Sequence, residues 1–356
     1  MNLASVQKIE AIRPIEGADV IETCQVLGWE VVVKKDEFKV GDLVAYIAID
    51  TIVPDKIEYE FLRERQFRVR TIKLRKQISQ GLIIPLPPGK WKESDDLTEI
   101  LGITKYTKDV EITTDIYVPP MPTTWFKKQI HIFKYRYYYK WFPSLRPVGK
   151  LPFPSNLVSK TDEERIQNTP SVLINMKGET FVVTEKCDGS SITIIHELNK
   201  KDKSIFRVCS RNQELVNTNN DFHRVFDATN LKADILLLVN HFKTNNIIVQ
   251  GEYIGKPQKN YYQLSDNEIR LFNIIVDGVR LPQDQFNVIC LLLGINCCPF
   301  VETLDLNFTL PEILKYAEGK SKINILKERE GLVFRAIDST LSFKVISNKF
   351  LIKNQE

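Results

Sequence analysis

The first hundred residues alternate between short apolar runs and turn signals. Stretches 30–33, 43–49, 67–74 and 81–85 are rich in Val, Ile and aromatic residues, and Gly41-Asp42 separates two of them, so each reads as a strand. Between Gln66 and Lys76 the pattern is nearly strict alternation. Phe67, Val69, Ile72 and Leu74 face one way and Arg68, Arg70, Lys73 and Arg75 the other, with a slip at Thr71. That spacing predicts one strand with an apolar and a basic face. Several short strands in about 100 residues predict a small barrel, and the OB fold is the small barrel most used on oligonucleotides.

Further along, the periodicity becomes mixed. Stretches 180–185, 191–196, 206–209, 247–251, 270–277 and 331–336 read as strands. The apolar spacing of 233–243, 282–293 and 309–318 predicts helices. Between the two regions, Pro119, Pro120, Pro122, Pro143, Pro147, Pro152 and Pro154 argue for an extended connector without a long helix. The expected division is 1–115, a barrel; 116–165, a connector; and 166–356, an α+β domain of antiparallel sheets flanked by helices.

The chain has 356 residues, 43% of them hydrophobic and 26% charged, enough for two cores. A net charge of +4 alone identifies no nucleic-acid partner, but its distribution does more. Residues 62–76 carry seven Arg or Lys against one Glu. Residues 125–150 carry seven more with no acid and nine aromatics. This connector reads either as aromatics packed between domains with solvated lysines, or as a surface that stacks RNA bases and follows phosphates. Six scattered cysteines without a CxxC pair suit reduced thiols. Neither a signal peptide nor a run of about 18 apolar residues is visible. A soluble cytoplasmic or nuclear protein, with no membrane partner, is expected.

The chemistry concentrates in 182–191, VVTEKCDGSS. An apolar strand delivers Lys186, and Gly189 allows a close turn beside it. Lys-x-Asp-Gly alone would occur by chance in roughly one chain in ten of this length. Here it is followed in order by Ser210-Arg211-Asn212, Gly251-Glu252-Tyr253, Leu271-Phe272-Asn273, Glu330-Gly331 and Phe343-Lys344, each a polar or aromatic group within or at the end of a strand.

Lys186, Asp188, Gly189, Arg211, Glu252, Glu330 and Lys344, in that order, resemble the motifs of covalent nucleotidyltransferases: RNA ligases, DNA ligases and mRNA capping enzymes. Segments GWEVVVKKDEFKVGDLVAYIAID and RVRTIKLRKQISQGLIIPL resemble the OB-like domain that precedes the transferase in Deinococcus and Naegleria RNA ligases. DNA ligases and capping enzymes carry the OB domain after the last lysine motif. Here 12 residues follow Lys344, so the resemblance favours the ATP-dependent RNA ligases.

That resemblance implies a nucleophile, Lys186, which an ordinary pKa near 10.4 would keep protonated unless its surroundings favour the free amine. It implies that Glu185 faces adenine and that Arg211 contacts ribose or phosphate. It also implies that Glu252 accepts from the ribose hydroxyls. Asp188, Glu252 and Glu330 would organise Mg²⁺ or Mn²⁺, and Lys344 would neutralise the α-phosphate of ATP. Phe272 is either the adenine-stacking ring or a core residue. A second motif lysine is replaced by Ile346, with Lys349 nearby. Arg68, Arg70, Lys73 and Arg75 are the expected nucleic-acid contacts. The implied substrate is RNA with 3′-hydroxyl and 5′-phosphate ends, as a nicked duplex, sealed by a monomer without an obligate protein partner. A GTP-using capping enzyme, a DNA ligase and a non-catalytic RNA-binding protein stay open as alternatives.

Overall fold

The computed structural model describes residues 2–106, 122–142, 150–161, 163–198, 203–256, 260–337 and 339–354. Pro119, Pro120, Pro143, Pro147 and the boundary at 115 lie outside them. The chain forms two compact units, one of residues 1–110, 163–186 and 301–356, the other of 111–162 and 187–300.

The first unit begins with the barrel. Strand Ala4–Pro14 pairs with Ile21–Val26 on one side and Leu43–Ile47 on the other. Trp29–Lys34 and Leu82–Ile84 complete a five-stranded sheet. A bulge between Ile9 and Ala11 bends the long strand, which lets it serve both partners. A three-stranded ribbon of Thr104–Lys105, Thr51–Ile52 and Arg68–Val69 nearly closes the barrel. Two clusters fill it, one around Val6, Ala45 and Ile47, the other around Ile9, Val31 and Tyr46.

The expected strand over 66–76 is divided. Arg68–Val69 joins the ribbon, while Ile72–Leu74 forms a hairpin with Gln77–Ser79. Left-handed backbone at Gln66 and Phe67 bounds the first piece, and at Arg75 and Lys76 it makes the hairpin turn. The slip at Thr71 coincides with the break between the two pieces, whereas nothing in the alternation marked the left-handed residues on either side.

The same unit contains a sheet ordered Glu164–Arg165, Ser342–Ile346, Gly331–Ala336, Thr180–Lys186 and Phe300–Asp305. The two-residue edge strand Glu164–Arg165 runs parallel to its neighbour, while Thr180–Lys186, Gly331–Ala336 and Ser342–Ile346 pair antiparallel as expected. Phe181, Val183, Leu332, Phe334, Phe343 and Val345 alternate onto one face, covered by helix Leu310–Tyr316. Fully burying one such side chain stabilises by about 1.5–3 kcal/mol. That helix opens with a reciprocal cap between Thr309 and Glu312.

The second unit is built on a seven-stranded antiparallel sheet. Its order is Lys150–Pro152, Gln213–Leu215, Ser204–Ser210, Ser190–Leu198, Ile247–Ile254, Glu268–Val276 and Val279–Arg280. Ile192, Ile194, Val249 and Ile274 pack against helices Asp221–Ala228, Leu231–Phe242 and Gln283–Leu293. Phe153 and Val158 cover Ile195 and Ile248 on the other face. With both faces covered, 247–249 reads as a continuous apolar run, and 192–195 is interrupted only by Thr193.

The connector holds a helix where prolines argued against one. It runs Trp125–Phe133, continues as a wide π-turn over Lys134–Tyr138, and ends at Trp141.

Candidate active site

Lys186 is the last residue of a central strand. Its Nζ lies 2.6 and 2.7 Å from the two carboxylate oxygens of Glu330, and both side chains are largely withdrawn from solvent. Register explains the meeting. Lys186 stands opposite Gly331, and Gly331 stands opposite Ile346, so Glu330 enters the sheet beside the lysine. A Cβ at Gly331 would strike the Val345 carbonyl and come within 2.9 Å of the Ile346 Cα. Only glycine lets the three strands close there.

Lys344 pairs in register with Val333, two positions along from Gly331. The two-residue period therefore puts Lys344 and Lys186 on one face of this sheet. Ile346 shares that face and is buried. Lys349 is exposed and ion-paired to Glu318 at 2.8 Å. Glu185 alternates to the other face, where its buried carboxylate accepts from the Lys322 backbone N–H at 2.7 Å.

Two residues of this half escaped sequence reasoning. Arg329 donates to the carbonyls of Tyr316, Ala317 and Glu318 at 2.6–3.0 Å. It thereby satisfies orphan acceptors at a helix end and anchors the residue before Glu330. Burial pulls its pKa below the ordinary value, with Glu185 and Glu302 among the charges opposing that shift. Arg335, buried on the Lys186 face, bonds Glu163 at 3.1 Å and Thr184 at 3.4 Å. Glu163 also accepts from Ser342. Partners more than 150 positions apart leave no local signal.

The second unit holds the other motif residues. Cys187 is buried, its Sγ 3.4 Å from that of Cys298, and all six cysteines are free. The Asp188 backbone N–H donates to the Tyr262 hydroxyl at 2.7 Å. Gly189 sits so close to Glu252 that a Cβ would meet its Cγ at 2.9 Å. Ser191 is opposite Glu252 in the sheet, which brings Asp188 and Glu252 to neighbouring strand ends. Arg211 lies with Asn212 at the exposed tip of the hairpin joining Ser204–Ser210 to Gln213–Leu215.

Phe272 occupies a bulge. Gln250 pairs with Asn273 and Gly251 with Leu271, leaving Phe272 as the extra residue. It is half-buried, while Ile269, Leu271 and Ile274 are core. Such bulges re-aim a side chain away from the packed face. Gln250, itself buried, fixes the bulge by accepting from Asn273 at 2.9 Å and donating to the Ser159 carbonyl at 2.9 Å.

Of the basic residues expected to meet nucleic acid, Arg68 pairs with Asp50 at 2.9 Å and lies 3.6 Å over the Tyr106 ring. Arg70 is half-buried, and Lys73 and Arg75 are exposed around the hairpin. Among the described residues, no group of three or more His, Cys, Asp or Glu is placed to hold a metal ion. Carboxylates are nevertheless the donors Mg²⁺ and Mn²⁺ prefer, and Mg²⁺ is usually held by one or two of them together with water and substrate phosphate. The carboxylates of Asp188, Glu252 and Glu330 are donors of that kind.

Comparison with known proteins agrees with this architecture. A family model described as RNA ligase matches residues 179–353, and one described as an OB-fold domain matches residues 3–86. A search of curated proteins finds no significant match. Among solved structures, the Naegleria gruberi RNA ligase with PPi is 31% identical. That match covers 100% of this chain and 99% of that one, with a TM-score of 0.79. A lysine-to-alanine mutant of the same ligase with ATP and Mn is 32% identical, covers 98% of each chain and has a TM-score of 0.76. A glutamate-to-alanine mutant with AMP and Mn is 32% identical over 99% and 98%, with a TM-score of 0.76. An OB-fold barrel preceding an antiparallel-sheet domain, matched over its whole length to a solved RNA ligase, places the chain in the RNA ligase family.

Proposed function

We propose that the chain is an ATP-dependent RNA ligase that carries AMP on Lys186. The supporting observation is the Lys186–Glu330 pair at a strand end, 2.6 Å apart, with Lys344 on the same sheet face. In the first step the Lys186 amine bonds to the α-phosphorus of ATP, the α–β bridging P–O bond breaks, and pyrophosphate leaves. The amine must shed a proton to attack, and its hydrogen bond to Glu330 offers that proton an acceptor. AMP then passes to an RNA 5′-phosphate, and a 3′-hydroxyl displaces it to form the phosphodiester.

Asp188, Glu252 and Glu330 would hold Mg²⁺ or Mn²⁺, which supplies charge neutralisation around the phosphates. Lys344 offsets charge on the α-phosphate, and Arg211 binds ribose or phosphate through its donor fork. Phe272, lifted from the core by its bulge, stacks on adenine. Exposed Lys73 and Arg75, with Arg70 and Arg68 behind them, bind the nucleic acid, and the preferred substrate is a nicked duplex sealed by a monomer. The working division remains 1–115, 116–165 and 166–356. Its reduced cysteines suit the cytoplasm or nucleus.

Labelled ATP and, separately, labelled GTP with Mg²⁺ distinguish the alternatives. A covalent, acid-labile adduct from ATP alone, absent in Lys186→Ala, is expected, followed by sealing of an RNA nick. An adduct from GTP would make the protein a capping enzyme. No adduct from protein shown not to be already adenylated would overturn the proposal.

A further inference from the structure

The helix from Trp125 to Trp141 is amphipathic, yet none of its residues is buried. Phe126, Ile130, Phe133, Tyr137 and Trp141 follow spacings of four, three, four and four, which is one helix face. The π-turn over Lys134–Tyr138 advances each residue through a smaller angle than an α-turn, so Tyr137 and Trp141 stay in line with Phe133. This stripe meets solvent. Phe126 is 69% exposed, Phe133 59% and Trp141 75%. A groove along it is lined by Gln129, Ile130, Phe133, Lys134 and Tyr138.

Lys127, Lys128, Lys134, Arg136 and Lys140 occupy the flanks and back, and residues 122–142 contain no acid. A second copy docked here would bring cations against cations. RNA bases would stack on the rings while phosphates follow the cations, but aliphatic Ile130, 43% exposed on the same stripe, has no ring face for a base and favours hydrocarbon. The charge favours an anionic occupant, and the stripe favours an apolar one. An anionic bilayer offers both at once, its acyl boundary to the stripe and its headgroups to the flanking lysines. At about 25 Å for the residues from Trp125 to Trp141, and interrupted by cations, the helix suits lying in the interface and not crossing it. That no helix among the described residues is long and apolar enough to cross a membrane does not bear on that mode.

We infer that residues 125–142 form an interfacial helix that docks this protein on anionic membrane surfaces. The full-length protein would be sedimented with phosphatidylcholine vesicles, with or without about 30% phosphatidylserine. Binding at least about tenfold stronger to the anionic vesicles, weakened by salt, is expected, with a blue shift of tryptophan emission from Trp125 and Trp141. Ile130→Glu with Phe133→Glu should abolish binding. Lys134→Glu with Lys140→Glu, which spares the stripe, should lose the preference for anionic lipid. Both variants should still form the ATP adduct, which shows that they are folded and separates this inference from the proposed activity. Equal sedimentation of parent and stripe variant would overturn the inference. So would failure to bind anionic vesicles, or a loss of RNA binding in the variant without any vesicle binding, which would mark an RNA surface instead.

Discussion

Two histidines of the second unit tie its stability to pH. His196 is fully buried with Nε2 3.0 Å from the Ser204 hydroxyl, and His223 is buried beside the Asn220 cap of its helix. Burial, the largest cause in each case, lowers both pKa values below 6.5. The unfolded chain therefore takes up protons first as pH falls, so stability is intact above about 6.5 and is lost from there down through the lowered folded values. The urea midpoint should be lower at pH 5.5 than at pH 7.5, and the difference should shrink in His196→Gln. An unchanged pH dependence in that variant would assign the effect elsewhere.

At the scale of elements, the hairpin at Arg75-Lys76 combines strain with charge. Both residues adopt left-handed backbone, where two-residue hairpin turns normally use Asn-Gly. Arg75→Asn with Lys76→Gly should stabilise the fold by about 1 kcal/mol or more. The same change should reduce the salt dependence of RNA binding by roughly one to two contacts' worth of slope. Greater stability with an unchanged slope would remove the hairpin from the RNA surface. This turn also shows where periodicity stops being informative. Runs of Val, Ile, Leu and Phe, and not alternation, located Thr180–Lys186, Ile247–Ile254 and Gly331–Ala336. Neither signal could reveal positive φ at residues that are not glycine, or a helix between prolines whose aromatics stay in solvent. Lys186 and Glu330 were legible as motif residues. Arg329 and Arg335 were not: Arg329 works on backbone carbonyls, which carry no side-chain signal, and the partners of Arg335 are distant in sequence.

Over the whole molecule, the barrel belongs to a larger unit than its sequence boundaries suggest. The Gly28 N–H donates to the Gln167 carbonyl at 2.9 Å, and the Trp29 indole to Asn168 at 2.9 Å. Asp50 receives both Arg68 and Arg165, and Gln80 reaches Asn348 at 3.3 Å. Each buried bond left without its partner costs about 1–3 kcal/mol. A chain lacking residues 2–110 should therefore melt at least about 5 °C lower and adenylate poorly. Full labelling and an unchanged melting temperature would show the barrel to be separable.

The Lys186–Glu330 pair has a consequence for the timing of synthesis. The nucleophile leaves the ribosome 144 positions ahead of its carboxylate, and strands Gly331–Ala336 and Ser342–Ile346 emerge after that. At 5–20 residues per second, the nascent chain carries its lysine for roughly 7–30 s without the sheet that holds it. During that interval the barrel strands can pair, but Phe181 and Val183 still lack Phe334, Phe343 and Val345. The capacity to react with ATP is thus acquired late, once the strand that brings Lys344 has been made.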